Sequence, residues 1–85
     1  MTKGYIYLLI SDKDHKTYLG STDDVIRRTK QHFDGQVTST KYRLPLRLVY
    51  TEEYSSLAEA RIRESYLKSR QGRRELKIIF SRIKK

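Results

Sequence analysis

Apolar and polar positions alternate between two periods along this chain, and the changes of period mark its elements. Residues 4–10, GYIYLLI, are apolar and aromatic with no polar interruption, which predicts a strand covered on both faces. The polar stretch SDKDHK (11–16) predicts a turn and TYLG (17–20) a second short strand, so the chain opens with a β-hairpin. STDD (21–24) offers N-cap oxygens and first-turn carboxylates to a helix expected over roughly 24–34, which stops at Gly35. Residues 36–45, QVTSTKYRLP, have no apolar period and read as an exposed loop closed by Pro45. LRLVYTEEY (46–54) alternates as a third strand. A second helix follows over roughly 56–70, with Ser55 or Ser56 and Glu59 as a capping box. Gly72 breaks it, and RRELKIIFSRI (73–83) predicts a short amphipathic third helix. The expected fold class is α/β: a small three-stranded, mainly antiparallel sheet flanked by helices, in the order β-β-α-β-α-α, forming a single domain over residues 1–85.

Helical geometry then sorts the polar side chains. In the first helix Val25, Ile26, Thr29 and Phe33 make one stripe, with Arg28 and His32 side by side on its edge at i, i+4 spacing, while Arg27, Lys30 and Gln31 face water. In the second helix Glu64 falls among Leu57, Ala60 and Leu67, whereas Glu59 lies with Arg63 and Arg70 on a polar face. A carboxylate aimed at the core edge is costly unless a cation or a metal meets it. Tyr7 and Tyr18 share a face of the hairpin in one register and not in the other, and the turn length leaves that choice open. Gly20 serves as a turn glycine or lets a phosphate approach the backbone.

Composition narrows the chemistry. With 85 residues there is one small core, so any site lies on its outside. No cysteine is present and only two histidines, His15 and His32, which excludes a disulfide framework and disfavours structural zinc. The longest apolar run is far short of a membrane span and no signal peptide is recognisable, so the expected location is the cytoplasm, without membrane association. The formal charge of +9 is uneven: residues 1–40 carry 6 basic and 5 acidic groups, residues 41–85 carry 13 and 5. A basic field of this size attracts a polyanion, and nucleic acid is the obvious partner, DNA and RNA answering to it alike. Lys41, Tyr42 and Arg43 in the loop, Arg73 and Arg74 after the second helix, and Gly20 with Ser21 at the end of the hairpin are the candidate nucleic-acid contacts.

The residues singled out so far stand in a familiar order. The sequence resembles the GIY-YIG nuclease superfamily, particularly its small stand-alone bacterial members: YIY (5–7) matches the first motif and YLG (18–20) the second. Arg28 and His32 lie eight and twelve residues beyond Gly20, and EARIRESYLK (59–68) is similar to the second-helix motif, with Glu64 as its glutamate. The first motif reads Tyr-Ile-Tyr where the family name has Gly-Ile-Tyr, and Ser21 stands where some repair-type members carry lysine. The resemblance implies a metal-dependent endonuclease acting on DNA phosphodiesters, in repair or recombination, with one Mg²⁺ or Mn²⁺ ion held by Glu64. It implies catalytic roles for Tyr7, Tyr18, Arg28, His32 and Glu64: Arg28 steadies charge on the phosphorus, Tyr7 orients or deprotonates the attacking water, and Tyr18 and His32 assist by hydrogen bonding. A phenol titrates near pH 10, so Tyr7 as a base needs the ion, Arg28 or both to lower its pKa. The alternatives are a non-cleaving basic nucleic-acid-binding module of the same fold, and a basic structural protein in which Arg28 and Glu64 form an ion pair between two helices.

Overall fold

The computed structural model describes residues 2–83. Strands β1 (Gly4–Ser11) and β2 (Thr17–Thr22) form the hairpin; α1 (Val25–Phe33), a 3-10 turn over Lys41–Arg43, β3 (Leu46–Tyr54), α2 (Leu57–Lys68) and α3 (Gly72–Ile83) follow. The sheet is antiparallel and ordered β2-β1-β3, so the expected class and element order hold. As the unbroken apolar run requires, β1 is the middle strand, and Ile6 through Ser11 are all buried.

The two faces of the sheet are unequal. On one, Ile6, Leu8 and Leu19 pack with Ala60 and Leu67 of α2 and with Leu76, Ile79, Phe80 and Ile83 of α3, which makes the main apolar core. On the other face the apolar cluster is smaller: among the described residues it consists of Tyr7, Leu9 and Leu46, with Tyr18 and Leu44 against them. Here α1 differs from expectation. Its buried residues are Thr29 and His32, whereas Ile26 is 83% exposed and Phe33 43%. The helix is turned towards its Arg28–His32 edge because His32 finds two hydrogen-bond partners inside, and a buried polar ring without them would be costly.

Several local readings are also refined or corrected. Gly72 stands at the break between the second and third helices, as expected, and is itself the first residue of α3; a Cβ there would stand 1.8 Å from the Tyr66 carbonyl oxygen, so the glycine permits the close α2–α3 junction. The segment 36–45 is not simply an exposed loop, since it contains the 3-10 turn and a fully buried Thr40. Arg43 in that turn is no open phosphate contact: its side chain is mostly buried, with Nε bonded to Asp14 at 3.0 Å. Arg63 leaves the polar face assigned to it and joins three elements, donating to both Glu52 oxygens (2.9 and 3.2 Å) and to Glu75. Glu52 also accepts the Tyr50 and Tyr54 hydroxyls at 2.5 Å each. The caps are as expected in kind: Asp24 accepts from the Arg27 amide at 3.0 Å and Ser56 from the Glu59 amide at 3.2 Å.

Candidate active site

The site begins with the hairpin register. Tyr7 pairs with Gly20 and Leu9 with Tyr18, which puts both tyrosines on the α1 face. Their rings lie 6.4 Å apart, and His32 comes down from α1 between them, with ring centroids 5.5 Å from Tyr7 and 5.0 Å from Tyr18. The Tyr7 hydroxyl and His32 Nε2 are 3.0 Å apart, both residues being essentially fully buried. Gly20 has a reason different from the expected approach of a phosphate. A Cβ at this position would lie 2.5 Å from the Tyr7 hydroxyl oxygen, so the bare backbone makes room for the phenol as it reaches across edge strand β2.

The other ring nitrogen of His32 finds Thr40, with Nδ1 and Oγ1 2.8 Å apart. Sequence reasoning missed Thr40, because nothing in a polar loop tells which hydroxyl folds back onto a helix. Burial, followed by the charge of Arg28, holds His32 down to about 4, so its ring is neutral at neutral pH, donating through one nitrogen and accepting through the other. Burial pushes the Tyr7 phenol above its ordinary value, and the nearby Arg28 guanidinium pulls against this without reversing it. Tyr7 is therefore a protonated phenol before any ligand arrives.

Arg28 and Glu64 approach from two other directions, and the charge of each is felt at Tyr7. They do not pair with each other. Arg28 donates to Gln31 at 3.0 Å, so Gln31 turns from the solvent position expected for it. Glu64 accepts from the Ser21 hydroxyl at 2.5 Å and from Lys68 at 2.6 Å. Ser21, expected from its position to contact nucleic acid, thus holds a carboxylate. Beside these groups, between β2, α1 and α2, opens a polar recess of about 400 Å³ lined by Ser21, Arg27, Arg28, Gln31 and Arg61 among others. Arg61 is a further cation on α2 that the sequence reading did not single out.

Among the described residues no three His, Asp or Glu side chains gather into a metal cage. A lone carboxylate with one neutral hydroxyl and one exposed lysine beside it nevertheless suits an ion that keeps most of its waters and shares a phosphate, as Mg²⁺ does. The remaining predicted contacts lie elsewhere. Lys41 sits over the exposed Tyr42 ring at 4.9 Å, Arg74 lines a recess with Arg70 and Gln71, and Arg73 lines a groove with Lys77. No helix among the described residues is long and apolar enough to cross a membrane.

Comparison with known proteins adds to this geometry. The UPF0213 protein SH2523 of Staphylococcus haemolyticus is 39% identical over 83 residues, covering 96% of this chain and all of that one. The UPF0213 protein YazA of Bacillus subtilis is 35% identical over 68 residues, 79% of this chain and 69% of its own. The solution NMR structure of the UPF0213 protein BH0048 from Bacillus halodurans superposes with a TM-score of 0.53 at 36% identity, covering 91% of this chain and 84% of that one. The model of the GIY-YIG catalytic domain matches residues 3–77, a span that holds every residue of the cluster just described, and the chain belongs to the GIY-YIG family.

Proposed function

We propose that this protein is a divalent-metal-dependent endonuclease that hydrolyses DNA phosphodiester bonds at the Tyr7–His32 cluster. The observation that carries the reading is that Arg28 and Glu64 both act on Tyr7 yet are not spent on each other. A structural ion pair between the helices would have joined them, whereas here Arg28 enters no ion pair among the described residues and Glu64 meets Ser21 and the half-exposed Lys68, which a metal ion can displace.

Glu64 is the residue that would hold Mg²⁺ or Mn²⁺, with Ser21 orienting the carboxylate. When bound, such an ion supplies Lewis-acid stabilisation of phosphate and leaving-oxygen charge. The chain's own groups do the rest. Arg28 presents fixed N–H donors to the phosphoryl oxygens as negative charge accumulates in the transition state. Tyr7, protonated at rest, takes a proton from the attacking water as it passes its own to His32 Nε2; the neutral ring accepts there while Nδ1–H donates to Thr40. Tyr18, packed against the imidazole, keeps water from entering behind it. The +9 charge draws the polyanion to the recess, and Arg27 and Arg61 line its approach.

A plasmid nicking assay with Mg²⁺ or Mn²⁺ tests the reading. Glu64→Gln and Arg28→Ala should each slow nicking by at least ~10²-fold with urea midpoints close to wild type. Undiminished nicking by both variants would refute the site.

A further inference from the structure

The catalytic reading leaves a second recess unused. It is an open groove of about 480 Å³ between the β1–β2 turn and α3, with Leu76 and Phe80 on its apolar side and Lys16, Arg73, Lys77 and His15 around it. Among the described residues no carboxylate lines it. This matters because acids elsewhere are nearly all engaged: eight of the ten carboxylates sit in ion pairs, and none of those pairs involves Lys16, Arg73 or Lys77. The groove therefore gathers, beside apolar surface, three cations that no ion pair among the described residues engages.

Its position relates it to the recess beside Glu64. Thr17, at the start of β2, lines the groove, and Ser21, towards the end of the same strand, lines the recess. Four residues of strand separate them by about 13 Å. A nucleic-acid strand that follows the free edge of β2 passes both.

We propose that the groove holds an unpaired nucleotide of the nucleic acid engaged at the recess, its base against Leu76 and Phe80 and its flanking phosphates on Lys16, Arg73 and Lys77. The inference rests on the endonuclease reading and extends it to substrate structure. A base in a duplex keeps its faces stacked and offers none to an apolar wall, whereas a single-stranded base does. Cations distributed around the groove suit a chain of phosphates better than the single headgroup of a lipid. The volume falls in the range of small-ligand sites, which extends from about 300 to 1,000 Å³.

Fluorescence anisotropy in chelator, where nothing is cut, tests this with three DNA probes: a blunt duplex, the duplex with a short single-stranded tail, and the same tail made abasic. The wild type should bind the base-bearing tail about tenfold tighter than the abasic one. Phe80→Leu, which keeps an apolar side chain in the core, should reduce that preference to about twofold or less. Lys77→Ala alters only an exposed side chain and remains informative if Phe80→Leu does not fold. It should weaken the tailed probe by about threefold more than the blunt one and lower the salt slope by about 1. Equal affinity for the two tails overturns the proposal, as does a tailed-over-blunt difference unchanged in Lys77→Ala, or anionic vesicles competing with the tail for Lys77. Glu64→Gln, which should not cut, should keep the whole preference; a wild type that shows the preference and never nicks refutes the endonuclease reading alone.

Discussion

A single hydrogen atom at Gly20 decides where the Tyr7 phenol can lie. In Gly20→Ala the new methyl would meet the phenol oxygen at 2.5 Å and Cζ at 2.6 Å, and the ring must move because it is buried on its other sides. We expect nicking to fall by about 10²-fold, the scale of a 1 Å misplacement, with a stability loss of about 1–3 kcal/mol. Kinetics and urea unfolding on one preparation separate the two effects. His32 makes a second claim at this scale. Its pKa is lowered from 6.5 to about 4, so between those values the unfolded chain binds a proton that the folded one refuses. Its contribution is thus complete above pH 6.5 and is lost as pH falls to about 4, an amount on the order of 3 kcal/mol. Urea midpoints measured across this window should show the slope in wild type and lack it in His32→Gln. Arg28, His32 and Glu64 could be placed because helical spacing and family motifs both constrain them, whereas for Tyr7 and Tyr18 the motifs alone spoke and the hairpin register stayed open. Thr40 could not be placed, nor could the Ser21–Glu64 bond, because each is a contact between segments whose approach only the folded chain decides.

Among elements, the sheet and helices could be read almost to their ends because apolar runs, caps and glycines agree. What could not be read was rotation and junction. The apolar stripe of α1 predicted inward Ile26 and Phe33, yet two hydrogen bonds to one imidazole turned the helix away from them. In α2 a polar face suggested a solvated Arg63, yet β3 and α3 each supply it with a carboxylate. This arginine ties three elements together. Burial works upward on Glu52, but Arg63 and the two tyrosine hydroxyls outweigh it and hold the carboxyl below its usual range, while burial and then Glu52 push Tyr50 and Tyr54 up to about 12. Arg63→Met removes the cation and leaves Glu52 half-buried without it. Discounted for partial exposure, the cost should be about 1–3 kcal/mol, with part recovered in Arg63→Met/Glu52→Gln; a double-mutant cycle in urea reads the coupling.

Across the whole molecule the sheet divides two unlike layers. One is a conventional apolar interior under α2 and α3; the other is a thin layer where α1 contributes a threonine and an imidazole. Composition pointed to a polyanionic partner, but not that the groups of the proposed site would gather on the side with the least hydrophobic support. The consequence concerns how the protein fails on warming. Helix α1 has little apolar anchorage, so its amides should exchange with deuterium faster than those of β1 or α2, and by a local opening that leaves the sheet intact. On the proposed function, nicking should then disappear several degrees before far-UV ellipticity does, and return on cooling, because the proposed site is mounted on the part of the molecule that lets go first.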